Sequence, residues 1–188
     1  MKNILKLITV LTIICGVAAV GLAVTFIATK KPIEEQFKLK TIKAISSVYP
    51  DLDLSQVYDI NQIPICAGSR KNCDTIYEIK KDGKTAAFAA KVIVKGYGGD
   101  IEVMAGAIAD DKISGVKILR HSETPGLGAN ITKGGTFEAQ FRGKSKSAGL
   151  KKQGGELDQV TGATISSKAV VSAARKAVET ISDYKMKH

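Results

Sequence analysis

The stretch 75-TIYEIKKDGKTAAFAAKVIVKGYGGDIEVMAGAIADDKISGVKILRH-121 decides the fold. Its first residues alternate in polarity up to Asp82-Gly83, a dipeptide typical of two-residue hairpin turns. A long β-prone run follows and ends at the glycines of GYGG. The remainder, Ile101 to His121, reads as two strands joined by a turn at Asp110–Lys112. Strands that follow one another across short turns predict an antiparallel sheet.

A helix is the strongest expectation for the C-terminal end of the chain. Apolar residues there recur at helical spacing among good helix formers, which predicts a helix from about Ser167 to Asp183; they are Val170, Val171, Ala174, Ala177, Val178 and Ile181. Phe137 and Phe141 are expected on one helical face, with core packing as their role. Helices packed against an antiparallel sheet define the α+β class.

The segment 158-DQVTGATISSKAVV-171 leads into that helix and has two interpretations. Thr164, Ser166 and Ser167 can each cap the helix after a tight turn. A helix start also offers free N–H groups and the positive end of the helix dipole, which together suit a phosphate. These residues alone do not choose between a cap and a phosphate site.

The first thirty residues predict a membrane anchor. Leu7 to Ala28 contains no charged residue, and lysines flank it on both sides. A run of this length is typical of a transmembrane helix. The alternative is a cleaved signal peptide, but the run is longer than the usual apolar core and lacks a clear cleavage site. We therefore assign residues 1–30 to a single-pass anchor; the flanking charges do not decide its direction.

Residues 31–84 are expected to connect the anchor to a domain formed by residues 85–188. Helical spacing after Pro32 predicts a helix that ends at Pro50, and residues 51–74 look loop-rich. Cys66 and Cys73 lie close together in this polar region, which favours a disulfide and an extracytoplasmic location. Two free thiols are the alternative, whereas a zinc site lacks further Cys or His ligands nearby.

Charge and motif content exclude several functional classes. The 188 residues carry a net charge of +10 without any Trp. The lysines are scattered and no aromatic-basic stripe accompanies them, so we expect no nucleic-acid partner and instead a solvated basic surface or contact with anionic lipid. The sequence has no dinucleotide-binding glycine motif, no iron–sulfur cysteine set and no multi-helix pore. No metal site is expected.

Three motifs behind the anchor resemble a known family. HSETPGLG begins at His121, QFRGK at Gln140, and D-x-x-TGAT-x-S spans Asp158 to Ser166. In this order they resemble the G subunit of the Rnf ion-translocating electron-transport complex and the related C subunit of the sodium-translocating NADH:quinone reductase. The quinone reductase proteins are usually longer, so the Rnf protein is the favoured match.

The resemblance implies a covalent FMN. Family members join the FMN phosphate to the second threonine of the TGAT motif, which is Thr164 here, and a separate flavin transferase makes the bond from FAD. Gly162 and Ala163 would leave room for the flavin, while Thr161 and Ser166 would be hydrogen-bonding candidates. Asp158 would serve recognition by the transferase. The resemblance also places a loop beside the flavin ring, with Glu123, Thr124, Leu127 and Gly128 as its expected contacts.

The family's role is that of an electron relay. The resemblance implies one flavoprotein component of a complex that couples ferredoxin oxidation to NAD⁺ reduction and to Na⁺ or H⁺ translocation, with other Rnf subunits as partners. No side chain is expected to act as an acid or base, because the cofactor supplies the redox chemistry. The domain is expected outside the cytoplasm on the cell membrane. A stand-alone tethered flavin carrier, and a non-redox adhesion or scaffold module, are the alternatives.

Overall fold

A computed structural model describes residues 2–52, 59–65, 74–109 and 112–187. The described chain forms two compact units, Met1–Ile42 and Lys43–His188. The first unit is helical and belongs to α1, Lys2–Val48, which ends just before Pro50 as the sequence predicts. Val10–Lys30 is long and apolar enough to cross a membrane, and its side chains are exposed.

The second unit is built on a five-stranded antiparallel sheet whose strand order equals the chain order. Its strands are β1 Asp59–Ile65, β2 Asp74–Lys81, β3 Lys84–Lys95, β4 Asp100–Ala109 and β5 Lys112–His121. Asp82 and Gly83 both have positive φ in the β2–β3 turn, so the predicted hairpin is confirmed. Residues 110–111 of the predicted β4–β5 turn lie outside the described residues.

The expectation that residues 51–74 are loop-rich is wrong for Asp59–Ile65, which pair with β2 as an edge strand. Only part of this strand is sheltered from solvent, and it contains Pro64, a residue disfavoured in strands, so its sequence signal is weak. Cys66 and Cys73 lie outside the described residues, and their disulfide stays a prediction.

The two faces of the sheet carry separate cores. Along β4, Val103 and Ala105 pack on one side while Met104 packs on the other, as the period of two requires. The first side is covered by α3, Thr164–Lys187, through Val170, Ala174, Val178 and other small or branched residues. The second side is covered by the end of α1, including Ile45 and Val48. The α+β class predicted from the sequence is confirmed.

The segment between β5 and α3 is mostly turns and short helices. It contains a 3₁₀ segment at Gly128–Gly135, the single-turn α2 at Thr136–Ala139 and a 3₁₀ turn at Lys151–Gln153. Phe137 and Phe141 are buried edge to face with ring centroids 5.4 Å apart, which confirms their predicted core role. Because this segment is anchored in the core, it holds the loop after β5 in front of the start of α3.

Candidate functional site

The start of α3 lies three residues earlier than the sequence predicts. The helix begins at Thr164 and continues to Lys187, instead of running from Ser167 to Asp183. The Ala163 carbonyl accepts the Ser167 N–H at 2.8 Å, so Ala163 is the residue that precedes the first turn. Lysines in the last turn interact favourably with the helix dipole, which helps to extend the C-terminal end.

The predicted capping role of three hydroxyl residues is wrong, because all three lie inside the helix. Thr164 Oγ1 accepts from Gln159 Nε2 at 3.2 Å, and the buried Ser167 Oγ accepts from the Val160 N–H at 3.1 Å. Ser166 Oγ donates to Glu123 Oε2 at 2.6 Å. Since these hydroxyls bond elsewhere, the N–H groups of the first turn keep the partial positive charge that attracts anions.

A tight turn delivers the chain to Thr164. The Ala163 N–H donates to the Val160 carbonyl at 3.0 Å, and Gly162 has a φ of +75°, which favours glycine. A Cβ built on Gly162 would lie 3.2 Å from Leu127 Cδ2. Glycine therefore serves both the conformation of the turn and the close approach of the loop after β5.

That loop is held in shape by its own hydrogen bonds. The N–H groups of Leu127 and Ala129 both donate to the Thr124 carbonyl, at 3.2 and 3.1 Å. Asn130 Nδ2 donates to the Gly126 carbonyl at 2.8 Å. The loop is thus a preformed wall, and Leu127 projects from it with half of its surface exposed.

The loop and the start of α3 enclose a cleft of about 390 Å³, a volume within the usual range for small-molecule sites. Its lining includes Glu123, Thr124, Leu127 and Gly128 from the loop, and Gly162, Ala163, Thr164 and Ser166 from the turn and helix. The structure thus brings together all but one of the residues that the sequence singled out for the flavin. Their roles as flavin contacts stay predictions.

Thr161 is the exception. It is exposed and lines a separate cavity of about 350 Å³ together with Asp158 and Gln140. Asp158 is itself exposed and pairs with Lys151 at 2.7 Å, while its backbone exchanges hydrogen bonds with the Gln140 amide. These two motif residues therefore face outward, where another protein could contact them.

Two lining residues were not predicted from the sequence. Tyr97 lies in the β3–β4 turn and is 72% exposed, and Ile165 on α3 is 52% exposed. A large aromatic between glycines, in GYGG, is the signal that could have indicated Tyr97. With Leu127 they give the cleft an apolar rim, which is suited to a flat aromatic ligand. Within the described ranges no group of His, Cys, Asp or Glu could hold a metal ion.

The chain is similar to several known proteins. The family described as "FMN-binding domain" matches residues 96–179. The chain is 33% identical over 191 residues to the G subunit of the Na(+)-translocating ferredoxin:NAD(+) oxidoreductase complex of Acetobacterium woodii, covering 95% of this chain and 91% of that relative. It is also 33% identical over 189 residues to the G subunit of the ion-translocating oxidoreductase complex of Methanosarcina acetivorans, covering 96% of each. The crystal structure of Shewanella oneidensis NqrC aligns over 76% of this chain and 71% of that chain, with 22% identity and a TM-score of 0.49.

Proposed function

Because the chain belongs to the family of G subunits of ion-translocating oxidoreductase complexes, the Rnf type, we propose that it holds FMN as a phosphoester on Thr164. The chain is an FMN-binding electron-transport subunit of such a complex and not the whole catalyst. Its task is to relay electrons within a ferredoxin:NAD⁺ oxidoreductase that translocates Na⁺ or H⁺. The other subunits of that complex are its partners, and the apolar N-terminal helix supports anchoring in the membrane lipid.

The observation that carries the proposal is the position of Thr164. Thr164 lines the cleft at the first turn of a 24-residue helix, opposite the Glu123–Gly128 loop. An ester phosphate on that oxygen would meet the N–H groups of the turn and the positive end of the dipole. Ala163 and Gly162 carry little side chain, so the approach to the oxygen is open.

The cleft also suits the rest of the cofactor. The exposed apolar surfaces of Leu127, Ile165 and Tyr97 offer a binding surface for a flat ring system. Bound FMN would supply the electron transfer, while these side chains would hold the ring and limit its contact with water. We assign no acid or base role to any residue of the site.

Attachment needs a flavin transferase and FAD as the donor. A bond forms between Thr164 Oγ and the phosphorus of the FMN half, and the pyrophosphate P–O bond breaks. Adenosine monophosphate leaves with that bonding pair, and the hydroxyl proton passes to a base of the transferase. The exposed Asp158 and Thr161, outside the cleft, form the surface that we assign to transferase recognition.

Two threonine variants test the attachment site. Thr164→Val keeps the shape and removes the oxygen, so the variant should gain no FMN when it is expressed with a flavin transferase. Thr161→Val is the matched control, since Thr161 is exposed and outside the cleft, and it should retain at least part of the flavin. The measurements are the protein mass and the fluorescence of the band in a denaturing gel. If Thr164→Val keeps the flavin and Thr161→Val loses it, the attachment site is Thr161. A wild type that gains no flavin would refute the proposal.

Co-purification separates the complex from a stand-alone carrier. The relatives are components of a complex, so affinity purification from mild detergent should recover integral-membrane and iron–sulfur or flavin subunits. Recovery of the flavinylated chain alone, under conditions that keep a reference membrane complex intact, would favour the tethered carrier.

We further propose that the domain faces the extracytoplasmic side of the cell membrane. Ser172 is exposed on α3, so Ser172→Cys should react with an impermeant thiol reagent in whole cells. Serine replacements of Cys15, Cys66 and Cys73 remove the competing thiols, and this background serves as the control. Labelling that appears only after cell lysis would place the domain in the cytoplasm.

A further inference from the structure

One buried carboxylate connects three segments around the cleft. Glu123 is only 6% exposed. Its Oε1 accepts the N–H groups of Tyr97 and Gly98 at 2.9 and 3.2 Å, and these residues belong to the β3–β4 turn. Its Oε2 accepts the Ser166 hydroxyl of α3 at 2.6 Å. A single side chain on the loop after β5 therefore ties that loop to the sheet and to the helix that carries Thr164.

The sequence leaves space for this carboxylate on both sides. A Cβ added to Gly96 would lie 2.0 Å from Glu123 Oε1, and one added to Gly128 would lie 2.3 Å from Glu123 Oε2. Real Cβ atoms do not approach oxygen so closely, so both positions are closed to larger residues while Glu123 stays in place. The carboxylate therefore fits closely between the two glycines.

The hydrogen bonds of Glu123 are made within the protein. Both oxygens already accept from protein donors, and no Lys, Arg or His among the described residues forms an ion pair with it. A carboxylate that accepts from two backbone N–H groups and a hydroxyl is held by strong hydrogen bonds, because its charge strengthens each of them. The flavin contact that the family resemblance implies for Glu123 stays a prediction beside these hydrogen bonds.

We propose that Glu123 is a positioning residue that fixes the walls of the cleft relative to one another. It holds the turn that carries Tyr97 and the helix that carries Thr164 at one separation. Order of the flavin ring depends on Glu123, whereas formation of the Thr164 ester does not, because Thr164 Oγ1 and the exposed residues 158 and 161 are not among its contacts. The inference rests on the proposed function of Thr164.

Two variants separate this role from a general loss of structure. Ser166→Ala removes the hydroxyl on α3 that donates to Glu123, so the helix should no longer be held to the loop after β5. Glu123→Gln has the same shape, and its amide oxygen can accept both N–H groups while its NH₂ group donates to the Ser166 oxygen. Glu123→Gln should therefore keep the loop connected to the turn and the helix through weaker, uncharged hydrogen bonds, and should lose less flavin signal than Ser166→Ala. Ser172→Ala, at an exposed serine of the same helix, is the matched control.

The experiment uses the full chain, flavinylated by the transferase and solubilised in detergent. All four proteins should gain the mass of FMN less one water. Ser166→Ala should lose most of the visible circular dichroism of the bound flavin and become more accessible to iodide quenching. Glu123→Gln should lose less of this signal, and Ser172→Ala should keep the wild-type signals. Far-ultraviolet circular dichroism should show the same fold in all four.

Unchanged flavin signals in Ser166→Ala would overturn the inference, and so would a loss of signal in Glu123→Gln as large as the loss in Ser166→Ala. Loss of the covalent flavin from Ser166→Ala or Glu123→Gln alone would also overturn it, because attachment would then depend on this contact. A wild type without added mass would instead refute the attachment to Thr164, so the two failures are distinguishable.

Discussion

Replacement of Gly128 by alanine should damage the cleft and the domain together. The new Cβ would lie 2.3 Å from Glu123 Oε2 and 2.9 Å from Ser166 Oγ, so the carboxylate or the helix must move. Inserting a methyl group into such a packed position typically costs about 1–3 kcal/mol. For a domain of this size, a cost near 2 kcal/mol lowers the melting temperature by about 4–8 °C.

The matched control is Gly83→Ala in the β2–β3 hairpin. Gly83 has a φ of +75° and no atom within 4 Å of an added Cβ, so its cost is purely conformational, about 1–2 kcal/mol. Both variants should therefore have a lower melting temperature than the wild type, whereas only Gly128→Ala should alter the visible circular dichroism of the attached flavin. The chain has no Trp, so thermal unfolding is best followed by far-ultraviolet circular dichroism in detergent. A Gly128→Ala protein with wild-type melting and flavin signals would refute the packing argument.

Three further predictions concern other parts of the chain. Gln159→Met removes the hydrogen bond that orients the Thr164 hydroxyl, so flavin attachment should be slower in a time course with the transferase; an unchanged rate would contradict this. Tyr49→Phe deletes a buried hydroxyl bonded to strands β3 and β4 and should cost about 1–3 kcal/mol. Burial raises the pKa of Tyr49 above its ordinary 10.0, so the stability that the hydroxyl contributes is complete below about pH 10 and declines above it as the unfolded chain ionises. Chemical denaturation should therefore show that the difference in the free energy of unfolding between the wild type and Tyr49→Phe narrows above about pH 10. A constant difference would contradict the assignment. Non-reducing peptide mapping should recover Cys66 linked to Cys73 by a disulfide, which should stabilise the fold by about 2–3 kcal/mol. Alkylation of both cysteines without reductant would exclude the bond.

The sheet could be predicted from the sequence because its signals are local. The β2–β3 hairpin has both alternation and the Asp82-Gly83 turn, and the two features agree. The edge strand β1 could not, because Pro64 and partly exposed side chains weaken the pattern that identifies a strand. Its pairing with β2 depends on a neighbour in space that the local sequence does not reveal.

The start of α3 was mispredicted for a related reason. Hydroxyl residues at a helix start usually cap it, and Ser166 and Ser167 were interpreted by that rule. In the structure both are buried, and their partners are the distant Glu123 and the backbone of Val160. The cleft residues of the two motifs were predicted through a family resemblance, whereas Tyr97 and the contacts of Glu123 emerge only when the chain is folded.

The order of the strands has a consequence for the maturation of the protein. Each strand pairs with the one made just before it, so the sheet can form hairpin by hairpin as the chain emerges from the ribosome. Thr164 follows all five strands of the described sheet in the sequence, so the helix that completes the cleft is synthesised after the sheet. The proposed flavin attachment to Thr164 can therefore take place only on chains in which every strand of the described sheet has already been synthesised.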